Sequence, residues 1–392
     1  MEKLISVLAS PIPYLILISV VITIHELGHY LAGRLFGAAA ESFSLGFGKS
    51  LVEVTDKRGT RWRLNWLPLG GFVKFVGEMQ TPADSMAERP PLVGKPFPEL
   101  TPWQRLFVAF GGPLANFVFA VVIFAGFAMT MGVPQATEVR VAQVHIGTPA
   151  DQAGFEPGDI FVMAGGRAVK TTQDVYMASA YSAGETVRYT IRRGDQTINL
   201  SAIPEPQVER NEALQLEETI GKIGLVPTSA PVKFARLNPI DAVAYGTERL
   251  QTMLGTTANV IRRLVTGKES LDKLSGPLGI LNVTDKITDL HMKQADVPIG
   301  EKIWGVGLDL INFAALISIG VGFFNLLPIP VLDGGAMLIC LAEGVMRRPV
   351  PESIQRVGLS IGLACLIGFA VLITWNDLIR FRPLETIAGI WS

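Results

Sequence analysis

The sequence predicts a mainly α membrane protein with four transmembrane helices, a β-hairpin between the first two and one small α/β domain inserted between the second and third. Three observations carry this. Of 392 residues, 49% are hydrophobic and only 18% are charged, against about a quarter charged in soluble domains. Four apolar stretches, residues 13–36, 106–131, 308–327 and 357–375, approach the ~20 residues that cross a bilayer. Between the second and third, charge rises and short strand-like runs appear. The formal net charge of −1 gives no basic excess for nucleic acid and no acidic tail. The lipid bilayer is the expected partner.

The first stretch reads as a retained span, because His25, Glu26 and His29 lie in its second half and no small-residue cleavage site follows. Short loops rich in Lys and Arg stay cytoplasmic. Lys49, Lys57, Arg58, Arg61, Arg63, Lys74, Arg89 and Lys95 follow the first stretch, and Arg347 and Arg348 lie between the third and fourth. Both termini and the middle region are then extracytoplasmic, although Arg380 and Arg382 after the last stretch run against the rule.

The first loop alternates apolar and polar residues over 41–76. Runs at 50–54 and 61–66 flank Gly59-Thr60 and predict a hairpin. Gly70-Gly71-Phe72-Val73-Lys74 follows as a β-prone run. It is either an unpaired edge to which an extended peptide adds, or part of a surface hairpin with no partner.

In the middle region, strands are expected at 139–144, 160–164, 186–191 and 197–200, with a helix over 171–182 capped by Thr171 or Thr172. The runs Thr148-Pro149-Ala150, Ala153-Gly154, Gly158-Asp159-Ile160-Phe161 and Gly165-Gly166 resemble a PDZ domain of the bacterial protease-associated type, present once. Such a domain binds peptide ends or extended segments by strand addition. Residues 238–264 repeat apolar positions at helical spacing with Arg249, Arg262 and Arg263 between. They form an amphipathic helix, lying either on the membrane surface or on the inserted domain. The expected organisation is 1–132 for the N-terminal membrane part, 133–230 for the inserted domain, 231–300 for the amphipathic connection and 301–392 for the C-terminal membrane part.

The chemistry lies in His25-Glu26-Leu27-Gly28-His29. Four residues apart on a helix, the two imidazoles share one face and can hold one Zn²⁺, with Glu26 beside it as general base toward water. About a dozen residues precede His25 in the span. At 1.5 Å each this is ~18 Å of a ~30 Å core, past the midplane toward the cytoplasm. A catalytic zinc needs a third protein ligand. His145 and His291 lie in the polar middle region and read as surface residues. Asp333 is the better candidate, because it follows a span interrupted by Pro328 and Pro330; the alternative is an N-cap of the next helix. Cys340 and Cys365, the only cysteines, read as buried small apolar residues rather than as a disulfide or a metal site.

Together, His25-Glu26-Leu27-Gly28-His29 and Asn325-Leu326-Leu327-Pro328-Ile329-Pro330-Val331-Leu332-Asp333-Gly334 resemble the site-2 protease family of intramembrane metalloproteases. Phe110-Gly111-Gly112-Pro113-Leu114-Ala115-Asn116 and Gly46-Phe47-Gly48 add to the resemblance, with Lys49 where proline is common. Within that family the chain resembles the bacterial regulator of sigma-E protease group, inner-membrane proteins with PDZ regions between the second and third spans. The resemblance implies one Zn²⁺ on His25, His29 and Asp333, with Glu26 as base. It implies a substrate-contacting, membrane-associated β-loop at Gly70, Gly71, Phe72, Val73 and Lys74. Asn116 and Asn325 would position substrate, or else bond within the helix bundle. The expected substrates are single-span membrane proteins, such as anti-sigma factors or remnant signal peptides, with a peptide or extracytoplasmic segment at the PDZ-like domain. The alternatives are a membrane-anchored PDZ scaffold with a degenerate site, and a membrane zinc protease working in a soluble chamber. The intact His/Glu/His set weighs against the first, and the carboxylate after a Pro-broken span against the second.

Overall fold

The computed structural model describes residues 11–77, 92–135, 138–211, 216–230, 233–267, 276–294 and 297–381. Arg89 and Arg382 lie outside these residues. The chain divides into two compact units, Met1–Ala125 with Val243–Ser392, and Gly126–Ala242.

Helix α1, Pro11–Leu35, carries the His-Glu-x-x-His motif, and strands β1, Ala40–Thr55, and β2, Arg61–Phe75, follow it. Both strands are longer than the sequence indicated, and each serves twice. Residues 50–55 of β1 pair with 61–65 of β2, while 42–45 of β1 pair with 61–64 on one side and with 71–74 on the other. The result is four strand segments in the order 50–55, 61–65, 42–45, 71–75. The run 71–75 is therefore paired with β1 along one edge and forms the outer strand of the four segments. Gly46 makes the fold-over possible. Its φ is +79°, and a Cβ there would sit 2.4 Å from the Leu67 carbonyl oxygen, so only glycine fits. Asp56 pins the hairpin end, accepting N–H bonds from Arg58 at 2.8 Å and Thr60 at 3.0 Å and the Trp62 indole N–H at 3.2 Å. Helix α2, Pro102–Thr130, has Pro113 inside it. Tyr30 and Ala32 of α1, Phe43 and Phe75 of the strands and Val108 of α2 form one buried cluster.

The second unit holds β3, Val133–Pro134; β4, Val139–Val144; α3, Pro149–Gln152; β5, Ile160–Ala164; β6, Arg167–Ala168; α4, Thr172–Ala180; β7, Val187–Arg193; and β8, Gln196–Ala202. A hairpin of β9, Glu205–Asn211, and β10, Leu216–Lys222, precedes β11, Leu225–Ser229, and β12, Phe234–Ala235. The main sheet runs β11-β4-β5-β7-β8 with β6 beside β5, and β12 pairs with β3. The four strands and the helix expected from sequence are present. Thr171 caps α4, with its N–H donating to Asp174 Oδ2 at 2.8 Å. Phe155, Phe161, Val175, Tyr189 and Ile191 centre the core. Buried Asp159 takes two bonds from the Arg193 guanidinium, at 2.7 and 2.8 Å, so the Gly-Asp turn is tied to the far end of β7.

Helix α5, Pro239–Val265, is the expected amphipathic helix. Its Leu250, Met253 and Leu254 pack on Ala120 and Phe124 of α2 and on Ala315 and Ile319 of α7, Ile299–Asn325, so this apolar face meets two of the long apolar helices rather than the membrane surface or the inserted domain expected from sequence. Helix α6, Pro277–Met292, was not visible as a separate element and breaks the single connecting segment expected over 231–300. Its His291 is half-buried near the surface, with Nε2 2.9 Å from Asp309 Oδ2 of α7. After α7 comes a helical half-length, α8, Asp333–Met346, and then α9, Glu352–Phe381. Cys340 is buried, but Cys365 is exposed on α9, whose apolar outer face suits lipid rather than protein. Among the described residues, four helices are long and apolar enough to cross a membrane: Ile12–Leu35, Pro102–Thr130, Ile299–Asn325 and Glu352–Ile379.

Candidate active site

His25 and His29 lie one turn apart on α1, and their Nε2 atoms are 3.2 Å apart. Asp333 meets them from α8, with Oδ2 3.1 Å from His25 Nε2 and Oδ1 3.4 Å from His29 Nε2. Asp333 is the first helical residue after Leu332, and no side-chain cap is present there. Its carboxylate turns to the histidines instead. The local chain explains the position. Pro328 and Pro330 end α7, and the glycines that follow lie against the broken segment. A Cβ on Gly334 would be 2.2 Å from the Leu327 carbonyl oxygen, and one on Gly335 2.3 Å from that of Ile329.

One ligand atom from each of His25, His29 and Asp333 lies within 4.8 Å of the others, the metal-competent group found among the described residues. Asp333 Oδ2 is buried and receives no well-directed hydrogen bond, as expected of an oxygen that shares a cation. Two imidazoles and a carboxylate form a donor set that suits zinc with a fourth position open. The residues fit the metal.

Each imidazole is held from behind. His29 Nδ1 is 2.9 Å from the Val108 carbonyl oxygen, and His25 Nδ1 is 3.2 Å from the Asn116 amide nitrogen. Both partners lie on α2. That helix comes close because small residues face α1: a Cβ on Gly28 would fall 2.2 Å from the Gly111 carbonyl oxygen, and one on Gly112 2.3 Å from His29 Nε2. Gly111-Gly112-Pro113 is thus a close-contact motif whose consequence is the support of both histidines. Val108, a backbone acceptor, carried no sequence signal.

Glu26 faces the edge strand, and Val73 donates its N–H to Glu26 Oε2 at 3.1 Å. Gly71 lies beside the same side chain, since a Cβ there would be 3.5 Å from Glu26 Cγ. Phe72 stacks on Phe47 with ring centroids 6.3 Å apart. Lys74 turns away to Glu41, with Nζ 3.4 Å from Oε2. A cavity of about 520 Å³ is lined by His25, Glu26, His29, Val73, Asn325 and Asp333, and reaches Arg105 and Gln355. Asn116 and Gly70 are not among its lining residues. Arg105 is held by buried Glu343, Nη2 to Oε2 at 2.6 Å, which ties α8 to the start of α2. Neither of these was singled out from sequence.

Residues 13–369 match peptidase family M50. The chain belongs to that family. The M50 match spans the motif-bearing helix, the inserted unit and the Asp333 segment alike. Metalloprotease MmpA of Caulobacter vibrioides is 36% identical over 96% of this chain and 97% of its own length. Proteins of Brucella suis biovar 1 and Mesorhizobium japonicum, whose names provisionally assign them as zinc metalloproteases, are 33% and 34% identical over 94% and 95% of this chain, covering 94% and 99% of their own lengths. The PDZ domain of an SdrC-like protein from Listeria monocytogenes matches 23% of the chain, 87% of that domain, at 22% identity with a TM-score of 0.19, too low to carry weight. As an M50 member of the site-2 protease type, the chain is a zinc metalloendopeptidase.

Proposed function

We propose that this M50 protease is an intramembrane endopeptidase that cuts transmembrane segments of single-span proteins after holding them as an added strand beside residues 71–75. The observation that carries the reading is the bond from Val73 N–H to Glu26 Oε2. It puts the general base against the outward edge of a strand whose other edge is already paired. An intact substrate helix hides its carbonyls from attack. An extended segment paired with the Val73 edge would present one to Glu26 and the ligand trio.

Zinc on His25, His29 and Asp333, one ion per chain, would supply a Lewis acid that polarises the scissile carbonyl and lowers the pKa of water. Glu26 takes a proton from the attacking water and gives it to the leaving amine. Gly70 and Gly71 let the strand pack tightly on its own hairpin, where a Cβ would lie 2.7 Å from Phe47 Cε2 and 2.8 Å from the Ser44 carbonyl oxygen, respectively. Asn325, on the cavity wall, orients the substrate carbonyl by donating from its side-chain amide.

The inserted unit is read as a PDZ-like domain that docks a peptide or extracytoplasmic segment and restricts which substrates reach the membrane part. The Lys and Arg distribution supports an inner-membrane orientation with this domain and both termini outside the cytoplasm. Membrane-bound anti-sigma factors and remnant signal peptides are the substrate classes that suit such a site.

The test uses the full chain in detergent or liposomes with a labelled single-span substrate. Glu26→Gln should abolish cleavage and keep one zinc per chain. A Glu26→Gln protein that still cuts, or cleavage by the native protein that survives complete zinc removal, sinks the reading.

A further inference from the structure

We propose that Asn116 is a positioning residue for His25, its side-chain amide turning to accept a hydrogen bond from His25 Nδ1–H when the metal is held and so fixing the tautomer that aims a bare Nε2 at the ion. This rests on the zinc protease reading above and assigns Asn116 to the ligand instead of the substrate.

The tautomer follows from geometry. His25 Nε2 lies 3.2 Å from His29 Nε2 and 3.1 Å from Asp333 Oδ2, so Nε2 is the nitrogen offered to the metal. A neutral imidazole that offers Nε2 carries its proton on Nδ1. The side-chain group facing that proton, at 3.2 Å, is the Asn116 amide. Its nitrogen has no lone pair to accept with, so the oxygen must face His25. The opposite pairing, amide N–H into a bare Nδ1, would require the His25 proton on Nε2, the nitrogen that lies toward His29 and Asp333. A half-turn of the amide interconverts the two.

Asn116 suits this task better than direct work on substrate. It is fully buried and does not line the catalytic cavity. Its Oδ1 has no hydrogen-bond partner while the amide nitrogen faces His25. The half-turn exchanges one unpartnered amide atom for the other, so the bond to His25 decides the orientation. The residue is anchored: Ser318 Oγ of α7 donates to its backbone oxygen at 3.1 Å. His29 receives the corresponding support from Val108 of the same helix, so one rail of α2 sets both imidazoles. An amide serves either tautomer, whereas a carboxylate here would leave a buried charge whenever the metal is absent.

The experiment measures zinc affinity by chelator competition, the visible spectrum after Co²⁺ substitution, and turnover, all on the full chain in detergent. Asn116→Leu should weaken zinc about 10–100-fold, the usual loss on removing such an outer partner, and should alter the Co²⁺ bands. Asn116→Asp keeps an acceptor and should return both toward the native values. If leucine does not fold, Asn116→Ser, too short to reach His25, takes its place. Native zinc affinity and Co²⁺ bands in the leucine or serine variant, or loss in the aspartate variant equal to that in leucine, overturns the proposal. A native protein that holds no stoichiometric zinc overturns the protease reading itself, a result distinct from either.

Discussion

Val73 and Glu26 are joined by a single hydrogen bond, backbone N–H to carboxylate Oε2 at 3.1 Å, across the gap between strand β2 and helix α1. Neighbouring residues of the strand bind β1 on the opposite edge. Proline at position 73 therefore removes this one donor and leaves the ladder to β1 in place, as an edge strand allows. A bond to a charged group is worth about 1.5–3 kcal/mol. Val73→Pro should lower kcat/KM by roughly 10–100-fold with zinc content unchanged. Native turnover in that variant would mean that the strand edge takes no part in catalysis.

The closeness of α2 to α1 makes a second, sharper test. Alanine in place of glycine normally favours a helix by about 1 kcal/mol. At Gly112 the added Cβ would fall 2.3 Å from His29 Nε2 and 2.8 Å from His25 Cε1, whereas at Gly126 of the same helix nothing lies within 4 Å. Gly112→Ala should lose zinc and activity together, and Gly126→Ala should keep both with equal or higher thermal stability. If both variants behave alike, the contact between α2 and the two imidazoles is not what holds the ligand pair.

His25, His29 and Asp333 were legible as a candidate metal-binding trio, and they do come together, because their chemistry is conspicuous where it lies. Two histidines and a glutamate at helical spacing in an apolar stretch have few structural reasons to be there, and a carboxylate just past a double proline has few more. Four strands and the helix of the inserted unit were legible too, from period-two runs broken by glycine turns. Three things were not. The fold-over of β1 and β2 depends on a left-handed glycine in mid-strand, and glycine in a β run signals irregularity without saying what kind. Helix α6 is short and only mildly apolar, so its periodicity merged with the segment before it. The support of His29 comes from a main-chain oxygen at Val108, and any residue has one of those.

Asp56 gives a pH dependence outside the membrane helices. Partial burial alone would raise its carboxyl, but bonds from the Trp62 indole, the Arg58 and Thr60 N–H groups and the Tyr30 hydroxyl hold it below its ordinary value. A carboxyl lowered on folding stabilises the fold fully above its unfolded pKa, near ~3.9. That stabilisation fades as pH falls through the lower folded value. The hairpin should thus resist proteolysis at neutral pH and loosen only below pH ~4. Asp56→Asn, which cannot ionise, should be more readily cut at pH 7 and should show less change on acidification. An identical acid profile in both proteins would remove Asp56 from the account.

Asp377 sits near the end of α9, fully buried, and its carboxylate accepts the backbone N–H groups of Gly276, Leu278 and Gly279 at 3.0 to 3.1 Å. Those are the first amides of α6, left without partners inside their own helix. The negative charge also meets the positive end of the helix dipole. The geometry leaves little room for another arrangement, since a Cβ on Gly276 would lie 2.4 Å from Ile373 Cγ2 of α9. A buried charge in so apolar a helix is costly unless satisfied, and here the satisfaction couples α6 to α9. Asp377→Ala should strand these donors, at about 1–3 kcal/mol for each one that water cannot reach. Amide exchange at residues 276–280 should then quicken more than in the α1 motif. Asp377→Asn keeps an acceptor but loses the charge, and should fall between. Unchanged exchange at 276–280 in the alanine variant would show that the start of α6 is held by its apolar packing and that the carboxylate contributes nothing to it.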